Sequence, residues 1–491
     1  MLFRDMLKEV PHLRAEGDLD RDITRIVYDS RLVEPGDLFV ALRGESTDGH
    51  KYIDQAVQRG AAAILVEEPV HAPSWAMVAE TLPALALAAN KVYGSPAADL
   101  SMIGVTGSNG KTTTTYALES IGATAGRKVG LFGTVEYRWP GSSKPAPHTT
   151  PFSSDLQHEL LSMKKAGVSE VVMEVSSHAL ALHRVDTLSF DVAVFTNLSH
   201  EHLDFHGSME GYAASKFRLF SDYLKPEGKA ILNLDDCWGK RWARQLPKEK
   251  VLTYGLSNSA DLFPETYDLT AKGIEAVLWS PAGRLNFESN LLGRHNLYNL
   301  LAAIGASLAA GMTPSQIEEA LRTPIQVPGR LEAIVKGQPF QVLVDYAHTP
   351  DGLENVLKTL SEIPHRRLLC VVGAGGDRDK AKRPLMASIG YAISDLLILT
   401  SDNPRREDPE KILDNMEVGV DADSGKPHLR IVDRREAIAR AIMEAKAEDI
   451  VLIAGKGHED YQEIDRVRHP FDDRIEAARA LESLGFKGGE A

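Results

Sequence analysis

A short apolar run, Ser101-Met-Ile-Gly-Val105, passes directly into Thr106-Gly-Ser-Asn-Gly-Lys-Thr-Thr113. The run reads as a buried strand, and the chain from Thr112 onward reads as the start of a helix. A strand that turns through glycines and leaves as a helix belongs inside an α/β sheet. There the backbone N–H groups of the turn and the helix N-terminus face one point, a site suited to the β- and γ-phosphates of a nucleotide. Lys111 would neutralise phosphate charge, and the Thr112 hydroxyl would hold Mg2+. The strict P-loop spacing is not met: Val105 stands where a glycine is needed, and Gly104 is one place early. A Gly-Lys-Thr triplet alone is as often an ordinary strand–turn–helix junction. The strand before it and the helix after it favour the phosphate reading, with Thr106, Gly107, Ser108, Asn109, Gly110, Lys111, Thr112 and Thr113 as the cradle.

The same alternation runs through the whole chain, and 491 residues suffice for several domains. Before about residue 97, Ile26–Ser30, Asp37–Leu42 and Ala62–Val66 read as strands. Tyr52–Gly60 and Leu85–Tyr93 read as helices, and Gly94-Ser-Pro-Ala reads as a linker. From about 98 to 327, strands are expected at Glu170–Val175, Val192–Thr196 and Ala230–Leu234, separated by helical patterns. Val327-Pro-Gly-Arg330 marks a second boundary. Beyond it, Gln341–Asp345, Arg367–Val372, Leu396–Thr400 and Asp449–Ala454 repeat the pattern. An α/β fold follows, with a central P-loop-type, mostly parallel sheet crossed by helices.

Composition sets only bounds. A formal net charge of −14 argues against general nucleic-acid binding, which needs a basic face. Cys237 and Cys370 are the only cysteines, too few for a disulfide framework. The first residues, MLFRDMLKEV, carry charges where a signal peptide needs an apolar core. The near-apolar stretch from Asn299 to Met312 is too short to span a bilayer. A cytoplasmic protein without membrane contact is expected, and a monomer.

Two further motifs carry oxygen and nitrogen ligands. Glu174, in Met173-Glu-Val-Ser-Ser-His178, ends a buried-looking strand, where Mg2+ ligands of nucleotide enzymes lie. His202 falls in Asn197-Leu-Ser-His-Glu-His-Leu-Asp204, in the loop after the strand at Val192–Thr196. The His-Glu-His run invites a zinc reading. No cysteine is near, however, and the helical His-Glu-x-x-His spacing is missing, so zinc is disfavoured. His200 and His206 read as solvent-facing loop histidines. On residue pattern alone, Lys216 on a helix reads as a solvated charge.

The ordered set of motifs resembles the Mur ligase family, ATP-dependent amide-forming ligases of bacterial cell-wall synthesis. The resemblance rests on the Gly-Lys-Thr turn, Glu174 in Glu-Val-Ser-Ser-His and His202 in its loop. It also rests on Gly293-Arg-His-Asn-Leu-Tyr-Asn299, Pro328-Gly-Arg-Leu-Glu332, Asp345-Tyr-Ala-His-Thr-Pro350 and Gly375-Gly-Asp-Arg-Asp379. It implies three domains: residues 1–97 for a UDP-sugar, 98–327 for ATP, and a Rossmann-like 328–491 for the incoming amino acid. It implies that Thr112 and Glu174 hold one Mg2+, and that His202 and a carbamoylated Lys216 hold a second. Asn296 would contact adenine, and Arg330 and Asp345 the triphosphate and ribose. Catalysis would rest on Lys111, Lys216, His202 and Glu174.

Within the family the chain is similar to the MurE type, which adds the third residue to the UDP-N-acetylmuramoyl peptide. Ser30, with Glu45, Ser46 and Thr47, would line the uridine site, and Thr149, Thr150, Ser177 and Arg184 would contact the muramoyl dipeptide. His148 and Leu182 depart from the family pattern, which has Asn and Gln there. Asp402-Asn403-Pro404-Arg405 resembles that type's signature for meso-diaminopimelate. Diaminopimelate has a distal carboxylate that lysine lacks, and an arginine fork binds a carboxylate through two hydrogen bonds. Taken alone, Asp-Asn-Pro-Arg is equally a capped turn. The resemblance further implies that Arg383 holds the other carboxylate and that Gly455 and Glu459 read the distal amine. The expected substrates are ATP with Mg2+, UDP-N-acetylmuramoyl-L-alanyl-D-glutamate and meso-diaminopimelate. A lysine-adding relative, a folylpolyglutamate- or cyanophycin-type ligase, and a nucleotide-dependent binding module stand as alternatives.

Overall fold

The computed structural model describes residues 1–44, 47–421 and 424–487. Glu45 and Ser46, expected at the uridine site, lie outside the described residues. The chain forms two compact units. The first comprises Met1–Pro264, Trp279–Leu285 and Asn299–Ala320, and the second Glu265–Leu278, Asn286–Tyr298 and Leu321 onward.

Two sheets build the first unit. The smaller has five strands, in the order Arg14–Gly17, Ser74–Met77, Ala63–Val66, Asp37–Val40 and Arg25–Val27. All neighbours are parallel except the first pair. The larger has eight, in the order Val251–Tyr254, Leu224–Asn233, Phe190–Phe195, Ser101–Thr106, Glu170–Glu174, Val129–Phe132, Glu136–Trp139 and Ser142–Pro145. The first six are parallel, and the last two add an antiparallel meander. The meander was not legible: Ser142–Pro145 is polar and part-exposed, and its turn at Gly141 gives no strand signal.

Strand order decides where chemistry can occur. Ser101–Thr106 lies between Glu170–Glu174 and Phe190–Phe195, whose following segments leave on either side of its carboxyl end. Such a switch point is where open parallel sheets bind ligands. Gly104 has a packing role there rather than a phosphate role. A Cβ on it would sit 2.8 Å from the Phe190 ring. It is the strand's concession to an aromatic neighbour, which explains its misfit to the P-loop spacing.

The second unit carries a six-stranded sheet, ordered Glu332–Ala333, Gln341–Asp345, Ile450–Ala454, Leu368–Ala374, Leu396–Ser401 and His428–Arg430. The first pair is antiparallel and the rest parallel. Both faces are covered. Leu368, Cys370, Val372, Leu397, Leu399 and Leu452 join one core cluster, while Leu369, Val371, Ile398, Val451 and Ile453 join another. Alternate side chains of continuous apolar runs thus serve opposite faces, as a parallel sheet under two helical layers requires. A fully buried Arg434–Asp473 pair at 2.7 Å, with Arg434 donating to the Ala454 carbonyl at 3.0 Å, fixes the carboxyl end of the central strand.

Several expectations shift. The helix expected from Leu85 begins at Thr81. The expected linker at Gly94–Ala97 contains a 3-10 turn, Pro96–Asp99, with Pro96 and Ala97 buried. Most of the near-apolar stretch from Asn299 to Met312 lies in the helix Arg294–Ala309. Among the described residues no helix is long and apolar enough to cross a membrane.

Candidate active site

The Gly-rich turn joins the strand Ser101–Thr106 to the helix Lys111–Thr124. Gly110 sits at φ 87°, and a Cβ on it would fall 2.2 Å from Asn299 Oδ1, so only glycine serves there. The turn is held from the side. Asn197 Oδ1 accepts from Asn109 N at 3.0 Å, the Asn197 carbonyl accepts from Ser108 N at 2.8 Å, and Ser199 N donates to Ser108 Oγ at 2.9 Å. Thr196 Oγ1 donates to the Asn109 carbonyl at 2.6 Å. The first turn of the helix, whose N–H groups have no intrahelical acceptors, opens onto this cradle. Lys111 Nζ donates to the Gly107 and Ser108 carbonyls at 2.8 and 2.7 Å, so its charge already sits over the loop.

Beside the cradle Thr112 Oγ1 donates to Glu174 Oε1 at 2.9 Å, and Glu174 is fully buried. Thr134 completes this arrangement: its N–H and hydroxyl donate to the two Glu174 oxygens at 2.9 and 3.0 Å. Sequence reasoning missed Thr134, because its role depends on the turn after Val129–Phe132 reaching a neighbouring strand. A hydroxyl and a carboxylate at hydrogen-bond distance form a hard-oxygen pair suited to Mg2+, and the glycine cradle suits phosphate.

Lys216 corrects the solvated-charge reading. It is 1 % exposed on the helix Met209–Ser221, donates to the Gly107 carbonyl at 2.8 Å and lies 4.6 Å from the Tyr212 ring centroid. Burial, and then the Lys111 charge, pushes its ammonium well below the usual lysine range. A signal was present in the sequence. Tyr212, Lys216, Leu219 and Phe220 share one helical face, and that face is buried. A cluster of histidines gathers near Lys216. His202, left-handed at φ 55°, and His178 stack edge-to-face at 4.8 Å. His206 is not the solvent-facing loop histidine expected. It ends the short helix Leu203–His206, packs on Tyr212 and places Nε2 3.0 Å from Ser177 Oγ. Burial and the neighbouring His178, His202 and Lys216 push it down to about 4. His200 is exposed, as expected.

The expected dipeptide contacts cluster in the same unit. Thr150 Oγ1 donates to the Glu174 carbonyl at 2.8 Å and accepts from Ser176 N at 3.1 Å. Thr149 Oγ1 lies 3.1 Å from Thr134 Oγ1. Arg184 Nη1 donates to the Thr150 carbonyl at 2.7 Å, with its guanidinium 4.0 Å from the Phe152 ring centroid. The departures take defined places: His148 is exposed with its ring against Phe152, and Leu182 caps the short helix Ser177–Ala181. In the smaller sheet's layer, Ser30 is buried with its hydroxyl on Gln55, while Thr47 is exposed beside Tyr52.

The second unit holds the other expected residues. Asp345 is buried, accepts from Leu331 N and Ala347 N at 2.8 and 2.9 Å, and is raised by burial against the lowering pull of Arg330. Asn296 donates to the Leu292 carbonyl at 2.9 Å, and Arg330 lies over the Tyr346 ring. The Asp402–Arg405 turn is zipped to the segment 459–465. Asn403 Nδ2 donates to Glu459 at 2.9 Å, Lys456 Nζ donates to Asn403 Oδ1 at 3.0 Å, and Gln462 Nε2 donates to the Asp402 carbonyl at 2.7 Å. Gly455 N donates to the Asp345 carbonyl at 3.0 Å, which links this cluster to the strand Gln341–Asp345. Pro404 is buried, and Arg405 adopts φ 52°, a conformation that bulky residues keep only where surroundings enforce it.

Arg383 departs from expectation. It is fully buried and donates to both Glu407 oxygens, at 2.8 and 3.0 Å, and to Asn415 at 2.9 Å. Its guanidinium is a strut between the helix Lys382–Ile393 and the loop after Arg405, not a group open to a ligand carboxylate. Arg378, in the same Gly-Gly-Asp-Arg-Asp loop, is exposed. The Arg383 hydrogen bonds, outweighing the opposing effect of burial, hold Glu407 down to about 2 from 4.5. Because the folded value lies below the unfolded one, this stabilisation is complete above pH 4.5 and is lost as pH falls towards 2. The urea midpoint of the wild type should fall more steeply across that window than that of Glu407→Gln. Parallel curves would show that the pair carries no pH dependence.

Comparison with known proteins agrees with this geometry. Residues 105–307 match the Mur ligase middle domain, 329–457 the Mur ligase glutamate ligase domain, and 22–99 the Mur ligase family catalytic domain. A Geobacter metallireducens protein named UDP-N-acetylmuramoyl-L-alanyl-D-glutamate–2,6-diaminopimelate ligase is 44 % identical, covering 99 % of this chain and 100 % of its own. A solved structure of a ligase with the same name superposes with a TM-score of 0.72 at 35 % identity, covering 99 % of each chain. The Thermotoga maritima MurF ligase in complex with ADP shares the fold at 21 % identity, with a TM-score of 0.66, covering 94 % of this chain and 98 % of that one. A glycine cradle beside a Thr–Glu oxygen pair at a sheet switch point, matched over nearly the full length, shows that the chain belongs to the Mur ligase family of ATP-dependent amide-forming ligases, with its three-domain α/β architecture.

Proposed function

We propose that this protein joins meso-2,6-diaminopimelate to UDP-N-acetylmuramoyl-L-alanyl-D-glutamate at the expense of ATP, in the cytoplasm and as a monomer, during peptidoglycan precursor synthesis. The observation that carries the acceptor assignment is Arg405, held in a left-handed turn by backbone hydrogen bonds to Glu463 and Asp465. A guanidinium held this way suits a ligand that brings a second carboxylate. Residues 1–97 serve the UDP-sugar, 98–327 ATP, and 328–491 the amino acid.

In this reading the terminal D-glutamate carboxylate oxygen attacks the γ-phosphorus and ADP leaves. The amine nitrogen of the acceptor then attacks the acyl carbon, a proton is lost, and inorganic phosphate departs. The chain positions and neutralises. Lys111 and the N–H groups of the helix's first turn hold the β- and γ-phosphates, with Thr106 to Thr113 as the cradle. Asn296 contacts adenine, and Arg330 and Asp345 the triphosphate and ribose. Thr112 and Glu174 would hold one Mg2+, and His202 with Lys216 a second; the ions supply charge neutralisation on the phosphates.

Lys216 needs a modification for that role, because an ammonium repels a metal. Its burial, with no carboxylate within ion-pair distance among the described residues, supports a carbamate. The neutral amine adds to the carbon of CO2, a proton is released, and an anionic oxygen ligand results. Thr149, Thr150, Ser177 and Arg184 take the dipeptide, and Ser30 and Thr47 the uridine. Asp402, Asn403, Glu459 and Gly455 take the acceptor's amine end. Arg405 reads the distal carboxylate, and exposed Arg378 is better placed than the buried Arg383 for the other.

The test supplies the UDP-muramoyl dipeptide and ATP with diaminopimelate or with lysine, and measures ADP and product mass. Product with diaminopimelate alone is expected; product with lysine alone would replace the reading by a lysine-adding one. Arg405→Ala should raise KM for diaminopimelate by about tenfold to 10²-fold, the worth of charge-assisted hydrogen bonds, and leave KM for ATP unmoved. Native KM for diaminopimelate in this variant removes Arg405 from recognition.

A further inference from the structure

We infer that Glu463 is a built-in stand-in for the acceptor's carboxylate: it occupies Arg405 in the free enzyme and must yield it when diaminopimelate binds. The inference rests on the proposal that Arg405 reads that carboxylate. Arg405 Nε lies 3.5 Å from Glu463 Oε2, and the two side chains are 19 % and 24 % exposed. That spacing is longer than a hydrogen bond, and both side chains keep partial contact with solvent. Arg383 and Glu407, by contrast, are joined by two hydrogen bonds at 2.8 and 3.0 Å, with the arginine fully buried. One pair is a permanent strut and the other an exchangeable contact.

The backbone keeps Glu463 in place without help from its carboxylate. Arg405 N donates to the Glu463 carbonyl at 2.9 Å, Asp465 N donates to the Arg405 carbonyl at 2.7 Å, and Glu463 N donates to Asn403 Oδ1 at 2.9 Å. The hairpin of Tyr461–Ile464 and Val467–Pro470 therefore delivers the carboxylate to Arg405 as a fixed neighbour. Arg405 Nη1 donates to the Gly376 carbonyl at 2.8 Å, which holds one end of the fork while Glu463 faces the other. A ligand carboxylate arriving at this fork must exchange the Arg405–Glu463 pairing for its own. Net acceptor affinity is the difference between the two. Lysine, with a distal ammonium and no carboxylate, leaves the Arg405–Glu463 pair undisturbed. Glu463 thus tempers affinity for diaminopimelate and spares Arg405 from standing uncompensated between turnovers.

Glu463→Gln keeps the shape and removes the charge. KM for diaminopimelate should fall about fivefold, the scale of a part-exposed ion pair, with KM for ATP unchanged and lysine used no better than before. In Arg405→Ala/Glu463→Gln, KM should equal that of Arg405→Ala alone, since Glu463 acts only through the guanidinium; a merely structural hairpin residue would give additive effects. If Arg405→Ala raises KM but Glu463→Gln leaves it unchanged or raises it, the stand-in role is wrong while the reading of Arg405 survives. If Arg405→Ala leaves KM unmoved, the reading of Arg405 itself is wrong. Additivity in the double variant also overturns the inference.

Discussion

Replacing Lys216 by alanine should lower turnover by about 10³-fold or more, a loss of about 4 kcal/mol of transition-state stabilisation. The residue is buried against the Gly107 carbonyl, so the change acts at the phosphate loop itself. If the working group is a carbamate, a short added carboxylate should restore part of the activity by supplying the missing oxygen ligand. Lys216→Arg should stay inactive, because arginine does not form that adduct. Protein equilibrated with 13C-bicarbonate should give a carbamate carbon signal in the wild type and none in Lys216→Ala. That readout is independent of turnover. A fully active Lys216→Arg would remove the modification from the mechanism.

Lys111→Ala should lower kcat by about 10²- to 10³-fold, the scale for removing one positioned electrostatic partner of a developing charge. Two effects combine in this residue. Its ammonium would neutralise phosphate charge, and its hydrogen bonds to the Gly107 and Ser108 carbonyls shape the turn. Titration with ADP separates them. If the charge matters most in the transition state, ADP affinity falls far less than kcat. Equal losses in both would make Lys111 a ground-state anchor, and near-native turnover would abolish its phosphate role.

Legibility followed from how local each determinant was. Gln341–Asp345 is legible to the residue, because a continuous apolar run in a two-sided parallel sheet needs no partner to be recognised. The strand–turn–helix at Thr106–Thr113 and the place of Glu174 at a strand end are legible because they are written in consecutive residues. The meander strand Ser142–Pro145 was not, since an exposed edge strand carries no apolar alternation. Thr134, Glu407 and Glu463 were equally invisible, as each matters only through a residue far away in the chain. The pairing of Arg383 is hidden for a related reason. Sequence shows that an arginine is present, but only packing shows that Glu407 has already claimed it.

The lateral grip on the phosphate turn has a consequence for binding thermodynamics. Ser108 and Asn109 take their hydrogen bonds from Asn197 and Ser199, so folding of the sheet has already removed the turn's conformational entropy. A nucleotide arriving there has no loop to order, and its affinity is not reduced by that cost. The amides of Ser108 and Asn109 should accordingly exchange slowly with solvent deuterium before any ligand is added. Weakening the grip from the loop after the neighbouring strand, as Asn197→Ala would, should transfer part of that ordering cost from folding to the nucleotide.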